Sequence, residues 1–390
     1  SVKKSPETLK KDLGTHHDIL KNLPILDSAI KRGEKEVIKE QMRSLIKKIV
    51  DHDLFTVEGL PETQVSMKAL GLSKGFSVLS IGEMEQLYQS LKTEFNGDRH
   101  YAFKNIFFDT CMMSGTVTST RFLKKMILEN EMSPYMAQSV FLSLAQSIIT
   151  PTTPLLEELY ELVTSSKVRE LSRETNLYNS AILGYSSLIE KACLSDNRNT
   201  SYPTFVFGKF CHHDSYIVSE KWIPYLSREL RQTQSMEKKN LYVVALGLLS
   251  HKNVLSPIIR VLETPEYNSP LLRTLAVYSL TKTGRHYPRR VLPVLSGIFS
   301  NRIERTEVRV AAFNIMMKLK PEMYWLQKIA SSTWVETDLE ILKLVNTAFY
   351  SLSEATAMED IKHESSHLVR KVRLLYPLIK KTGGAFPTTS

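Results

Sequence analysis

The sequence predicts an all-α fold, a solenoid of helix pairs, and three observations predict it. A short signature recurs across residues 241–352: Ala245-Leu246-Gly247-Leu248-Leu249, Ala276-Val277-Tyr278-Ser279-Leu280, Ala312-Phe313-Asn314-Ile315-Met316 and Ala348-Phe349-Tyr350-Ser351-Leu352. The alanine returns every 31 to 36 residues. It lets one helix approach the next, while the large side chains one and four positions later fill the layer between repeats. The second observation is a series of readable helix starts followed by apolar residues at helical spacing. The third is that β-branched runs are short and never alternate with helical stretches, which leaves no sheet of any size to build. A solenoid buries its core through neighbour contacts and presents a long surface. Binding or scaffolding is therefore expected, and an active-site cleft is not.

Taken in order, residues 1–16 are polar and Lys-rich and read as a frayed linker end. From Asp27 the pattern turns helical, with Ile30, Ile38, Met42, Ile46 and Ile49 on one side and Lys and Glu on the other. Gly71, Gly75 and Gly82 are expected to interrupt it before Ser80 and Glu83 form a capping box for a helix carrying Leu87, Leu91 and Phe95. After the turn at Asn96, Gly97 and Asp98, two helices start where Ser133 precedes Pro134 and Thr153 precedes Pro154, each oxygen capping a first turn that tolerates proline. Their apolar faces are Phe141, Leu144 and Ile148, then Leu155, Leu159 and Leu162. Residues 196–215 form a polar loop dividing an N-terminal helical block, to about residue 195, from clearer repeats beginning near Trp222. The helical region is thus 17–382, and the Gly-, Pro- and Thr-rich 383–390 reads as a linker.

Composition bounds the function. A chain of 390 residues with 42% hydrophobic and 24% charged residues is globular, and a repeat array reaches that length without a domain break. The formal charge of +10 favours polyanions or anionic lipid surfaces by long-range attraction. No run of 18 apolar residues offers a membrane span, and the polar N-terminus is unlike a signal peptide. A start without Met is expected of a fragment or a processed product. Three cysteines make neither a disulfide framework nor a zinc pattern.

Several stretches resemble a known family. Residues 107–123 (FFDTCMMSGTVTSTRFL), 149–159 (ITPTTPLLEEL), 181–193 (AILGYSSLIEKAC), 202–208 (YPTFVFG) and 222–230 (WIPYLSREL) resemble, in order, segments of the helical domain of vitellogenins, most closely the insect ones. The match runs from about residue 20 to 375 and extends to the large lipid transfer proteins generally. The resemblance implies a right-handed, two-layered α-α superhelix, horseshoe-like, wrapped around lipid-lining β-sheets elsewhere in the full-length protein. It implies a secreted, extracellular lipid carrier of haemolymph or yolk, with no cofactor bound by this domain and lipid held by the whole. The expected partners are those β-sheets, lipid, a membrane surface or polyanion, and a second copy in a homodimer.

Individual residues follow. Many vitellogenins carry a cysteine at the place of Cys193, and a bond to Cys211 would close a loop of about 18 residues worth roughly 3 kcal/mol; two buried thiols remain the alternative. Cys111 is expected to be a free core thiol. Asn199, with Thr200 and Ser201, is an N-glycosylation acceptor on the polar loop. His212, His213 and Asp214 are weak metal candidates because consecutive residues cannot all face one ion from a helix, and His16 and His17 read as solvated. Arg285, His286, Arg289 and Arg290, then Arg302, Arg305 and Arg309, fall between repeats and are expected to form a basic ridge for phosphates or a membrane surface. Nucleophile elbow, phosphate loop and zinc-protease motifs are all missing, so no catalytic residue is assigned and the chain is expected not to be an enzyme. The rival reading is an intracellular solenoid adaptor using the ridge for nucleic acid or anionic partners.

Overall fold

The computed structural model describes residues 24–53, 62–173, 175–195, 210–264, 267–354 and 363–381, and among these every regular element is helical. The chain divides into two compact units, residues 1–212 and 213–390. Asn199, His16, His17 and both terminal linkers lie outside the described residues.

The first unit contains α1 (Pro24–Arg32), α2 (Lys35–Asp53), α3 (Glu62–Val78), α4 (Ile81–Lys92), α5 (Asp98–Ser114), α6 (Val117–Leu128), α7 (Pro134–Ser147), α8 (Thr153–Thr164), the short α9 (Ser166–Leu171) and α10 (Leu177–Ile189). A π-helical turn, Glu190–Leu194, prolongs α10. Helices α3, α5, α7 and α10 pack successively into one layer, and α4, α6 and α8 into the other. The predicted apolar stripe of α2 is buried at Ile38, Met42, Ile46 and Ile49. The expected break at 71–82 shrinks to Leu79 and Ser80, because α3 runs through Gly71 and Gly75. At Gly75 the reason is packing: a Cβ there would collide with the Met42 side chain, so the glycine serves the approach of α2 rather than a turn. Ser80 and Glu83 form the capping box, with Ser80 N–H donating to Glu83 Oε2 at 2.7 Å. Ser133 caps α7, whereas α8 starts one residue earlier than expected, with Thr152 at the cap position and Thr153 inside the first turn. Gly184 brings α10 against α7, since a Cβ there would overlap the Phe141 carbonyl.

The core of this unit is an aromatic cluster that periodicity alone did not single out. Tyr88 lies 5.3–5.6 Å, ring centre to ring centre, from Phe103, Phe107 and Phe108. Its hydroxyl donates to Glu131, which also receives Lys92 at 2.6 Å. Burial works against the Glu131 carboxylate, yet these hydrogen bonds hold its pKa below the ordinary value.

The second unit opens with a π-helical segment, Ile217–Trp222, leading into α11 (Ile223–Gln232). There follow α12 (Met236–Gly247), α13 (Leu255–Glu263), α14 (Pro270–His286), α15 (Pro288–Ser300), α16 (Thr306–Lys318), α17 (Met323–Ser332), α18 (Leu339–Glu354) and α19 (His363–Leu375). The four copies of the signature sit on α12, α14, α16 and α18, which pack in succession as one layer; α15, α17 and α19 form the second. Ala245, Ala276 and Ala312 are fully or almost fully buried, as are Leu246, Val277, Phe313 and Phe349 one position on. Neighbouring repeats also lock by hydrogen bonds. Ser279 Oγ donates to the Val243 carbonyl at 3.0 Å, and Lys282 and Thr283 reach the carbonyls of Leu248 and Leu249 just past the end of α12. Those carbonyls lack partners within their own helix, so in this pair α14 caps the end of α12.

Candidate functional site

The residues singled out from sequence fall in separate places. Cys193, on the π turn after α10, is joined to Cys211 by a disulfide with Cα atoms 4.8 Å apart. Phe210 N–H donates to the Ala192 carbonyl at 3.2 Å, so backbone and disulfide hold the same two strands of chain together. Cys111 is free and buried, and burial pushes its thiol well above the ordinary pKa.

The basic ridge does not form as one row. Arg285 ends α14, and Arg289 and Arg290 begin α15, all exposed. Arg302 and Arg305, also exposed, lie beyond the other end of α15, a separation of about 20 Å for a helix of 13 residues. The connection at Tyr287 joins the two helices of a pair, whereas residues 301–305 join one pair to the next, which places the two sets at opposite ends of α15.

Arg309 must be removed from this set altogether. It is 2% exposed on α16 and forms an ion pair with Glu336, itself 7% exposed. Arg309 Nε donates to the Phe299 carbonyl at 2.9 Å, and the Glu336 carboxylate accepts from the N–H groups of Thr337 and Asp338 at 3.0 Å each. Burial opposes the charge on Glu336, but Arg309 and the backbone donors hold its pKa below the usual range. Sequence spacing placed Arg309 between repeats. The apolar period of α16 places it inside, with Val308, Ala311 and Ala312.

The histidine pair is also redistributed. His212 is exposed, while His213 and Asp214 meet His251, 37 residues on, in the segment after α12. His251 is fully buried, and its Nε2 lies 2.9 Å from Asp214 Oδ1. The rings of His213 and His251 stack with centroids 4.7 Å apart. Lys252 Nζ lies 3.1 Å from the same carboxylate oxygen. The Asp214 carboxylate is held below its ordinary pKa by the hydrogen bond from His251 and then by Lys252, whereas burial lowers the pKa of His251 despite Asp214. Nothing in the sequence marks His251 as a partner of 213–214.

A feature that periodicity misses altogether lies at the edge of the repeats. Counting back the same number of positions from each repeat alanine gives Met236, Tyr267, Ile303 and Leu339. Met236, Ile303 and Leu339 are exposed, Ile303 to 95%. Beside this edge, α11 and α13 line a cleft of about 250 Å³ that carries Arg231, Arg260 and Tyr267. Among the described residues no helix is long and apolar enough to cross a membrane.

Comparison with known proteins places this geometry. Residues 40–350 match the family model "Vitellogenin TPR domain". Vitellogenin-A1 of Aedes aegypti is 30% identical over 67% of the chain and 12% of its own length. Vitellogenin-1 of Solenopsis invicta is 26% identical over 67% of the chain and 16% of its own, and the hemolymph clottable protein of Penaeus monodon 27% over 87% and 20%. The chain therefore spans a fifth or less of the length of these relatives. A solved structure described as "Lipid-protein interactions in lipovitellin" superposes with a TM-score of 0.68 at 18% identity, over 88% of the chain and 33% of that protein.

Proposed function

The chain belongs to the vitellogenin TPR-domain family, and from that premise we propose that it is the helical scaffold of a secreted lipid carrier of the yolk-precursor kind. Its work is mechanical: it presents helix faces and repeat edges against which the lipid-holding part of the full-length protein rests. The single observation that carries this reading is the apolar edge of Met236, Ile303 and Leu339, repeat-spaced and exposed beside a closed core. Covering Ile303, which is 95% exposed, is worth about 1.5–3 kcal/mol, and the other two contribute less in proportion to their exposure. An edge of this kind exposes surface with no use in an isolated array and a clear use when a further layer, such as β-sheets of the same polypeptide, lies across it. The Cys193–Cys211 disulfide supports an extracellular location, because such bonds persist in oxidising compartments. It also disfavours the intracellular adaptor reading.

The test is to express the full-length protein with Met236→Ser, Ile303→Ser and Leu339→Ser together and to measure lipid per mole of secreted protein. The scaffold reading predicts folded helices with reduced lipid load. An unchanged lipid load would remove its support.

A second surface supports contact with anionic membranes. Arg289 and Arg290 occupy the first turn of α15, where the helix dipole disfavours cations, beside Arg285. Dipole pairing does not account for their position, and an anionic lipid surface would. Vesicles rich in phosphatidylserine should bind the chain with a steep salt dependence that the triple Gln variant loses.

A further inference from the structure

We propose that the cleft between α11 and α13 is a binding site for the phosphate monoester of a small polyol, carried either by a free metabolite or by a lipid headgroup. Two guanidinium groups from separate helices, Arg231 and Arg260, line this one cleft of about 250 Å³, and among the described residues no carboxylate lines it with them.

Helical spacing builds the two walls. On α11, Ile223, Ser227, Leu230 and Arg231 share one face, and on α13 Ser256, Arg260 and Val261 do the same. Ile223, Leu230 and Val261 are buried and give the cleft an apolar floor, while both arginines are exposed at its rim. Each arginine occupies the last turn of its helix, where the dipole favours a cation. The dipole accounts for either one alone. It does not bring both to the same cleft, and among the described residues neither guanidinium has an ion-pair or hydrogen-bond partner. By contrast, Arg121 and Arg273 each fork onto a glutamate, Glu158 and Glu304.

The polar groups define the ligand. A guanidinium presents five N–H donors and no acceptor, so two of them need an anion with several oxygens. One fork occupies both oxygens of a carboxylate, whereas a phosphate monoester offers three and carries about −1.5 to −2 charges at neutral pH, which matches two arginines. A phosphodiester, with one charge and two free oxygens, would leave part of the pair unmatched. Tyr267 lies just beyond α13, and Lys239 Nζ is 5.0 Å from its ring centre, which brings a third positive charge near the arginine end.

The rest of the cleft suits hydroxyls. Ser227 Oγ donates to the Ile223 carbonyl at 2.7 Å, so toward the cleft it accepts. The Ser256 hydroxyl, without a protein partner among the described residues, is available to donate or accept. The volume falls just below the roughly 300–1,000 Å³ of drug-sized sites, which fits a headgroup and leaves no room for an acyl chain. The C–H face of a polyol would lie on the apolar floor while its hydroxyls meet the serines.

Calorimetric titration of the disulfide-intact chain tests this, with circular dichroism to confirm folding. Inositol monophosphate should bind one per chain, about tenfold more tightly than inorganic phosphate, and unphosphorylated inositol should not bind. Arg231→Gln and Arg260→Gln should each weaken the ester by about tenfold or more, the loss of charged hydrogen bonds. Ser256→Phe, at an exposed position, should abolish binding by filling the cleft with the net charge unchanged. Arg228→Gln removes the same charge from α11 at a position that does not line the cleft, and should alter affinity by less than about twofold. Phosphatidylcholine vesicles doped with phosphatidylinositol monophosphate separate the two sources: capture that Arg231→Gln abolishes and free ester competes away assigns a lipid headgroup, and binding of free ester without vesicle capture assigns a soluble one. No saturable binding of the ester, or inorganic phosphate binding as tightly, which would mean an adventitious ion only, would overturn the proposal. So would equal losses in Arg228→Gln and Arg231→Gln.

Discussion

Replacing Arg309 by alanine should damage the fold without touching any surface. The guanidinium joins Phe299 at the end of α15 to Glu336 ahead of α18, and both charged groups are almost wholly buried. Truncation leaves the Glu336 carboxylate with only the Thr337 and Asp338 N–H groups, and leaves the Phe299 carbonyl without this donor. Breaking one side of a buried pair costs about 3–5 kcal/mol. At about 2–4 °C per kcal/mol for 150–250 residues, the melting temperature falls by about 6–20 °C. Urea unfolding followed by circular dichroism measures it. A double-mutant cycle with Glu336→Leu isolates the pair, because Arg309→Met combined with Glu336→Leu removes both charges and should recover much of the loss. A cost for Arg309→Ala below about 1 kcal/mol, or additive single variants, would refute the buried-pair argument.

Gly184→Ala should destabilise the first unit by about 1–3 kcal/mol or more, because the added methyl meets the Phe141 backbone rather than a movable side chain; thermal unfolding reports it. Replacing Cys193 and Cys211 by serine should cost about 3 kcal/mol in urea unfolding, given the 18-residue separation. Acid should unfold the chain through Glu131 and Glu336. Their folded pKa values are depressed, so their contribution is present above about pH 4.3 and is lost as pH falls through the lower folded values. Melting curves should drop steeply below about pH 4, and Glu336→Gln should flatten that drop while lowering stability at neutral pH.

How much of this was legible in the sequence follows from what each feature depends on. The layer of α12, α14, α16 and α18 was readable because an alanine with large apolar neighbours is a local pattern, and the caps at Ser80 and Ser133 span only a few residues. Gly75 misled, since a glycine chosen for close packing looks the same in sequence as one chosen for a turn. Arg309 misled because its partner, Glu336, is 27 residues away and only the ion pair makes burial of a guanidinium tolerable. His251 was invisible for the same reason, as was the exposed edge, whose members share a repeat position but no residue type.

The most direct measurement of the scaffold claim is the accessibility of Ile303 in two settings. With Ile303→Cys in the isolated chain and in the full-length, lipid-loaded protein, a polar maleimide should label the first rapidly and the second at least about tenfold more slowly, because covering an isoleucine-sized side chain is worth upwards of about 1.5 kcal/mol. Equal labelling rates would mean that nothing rests on this edge, and would contradict the account.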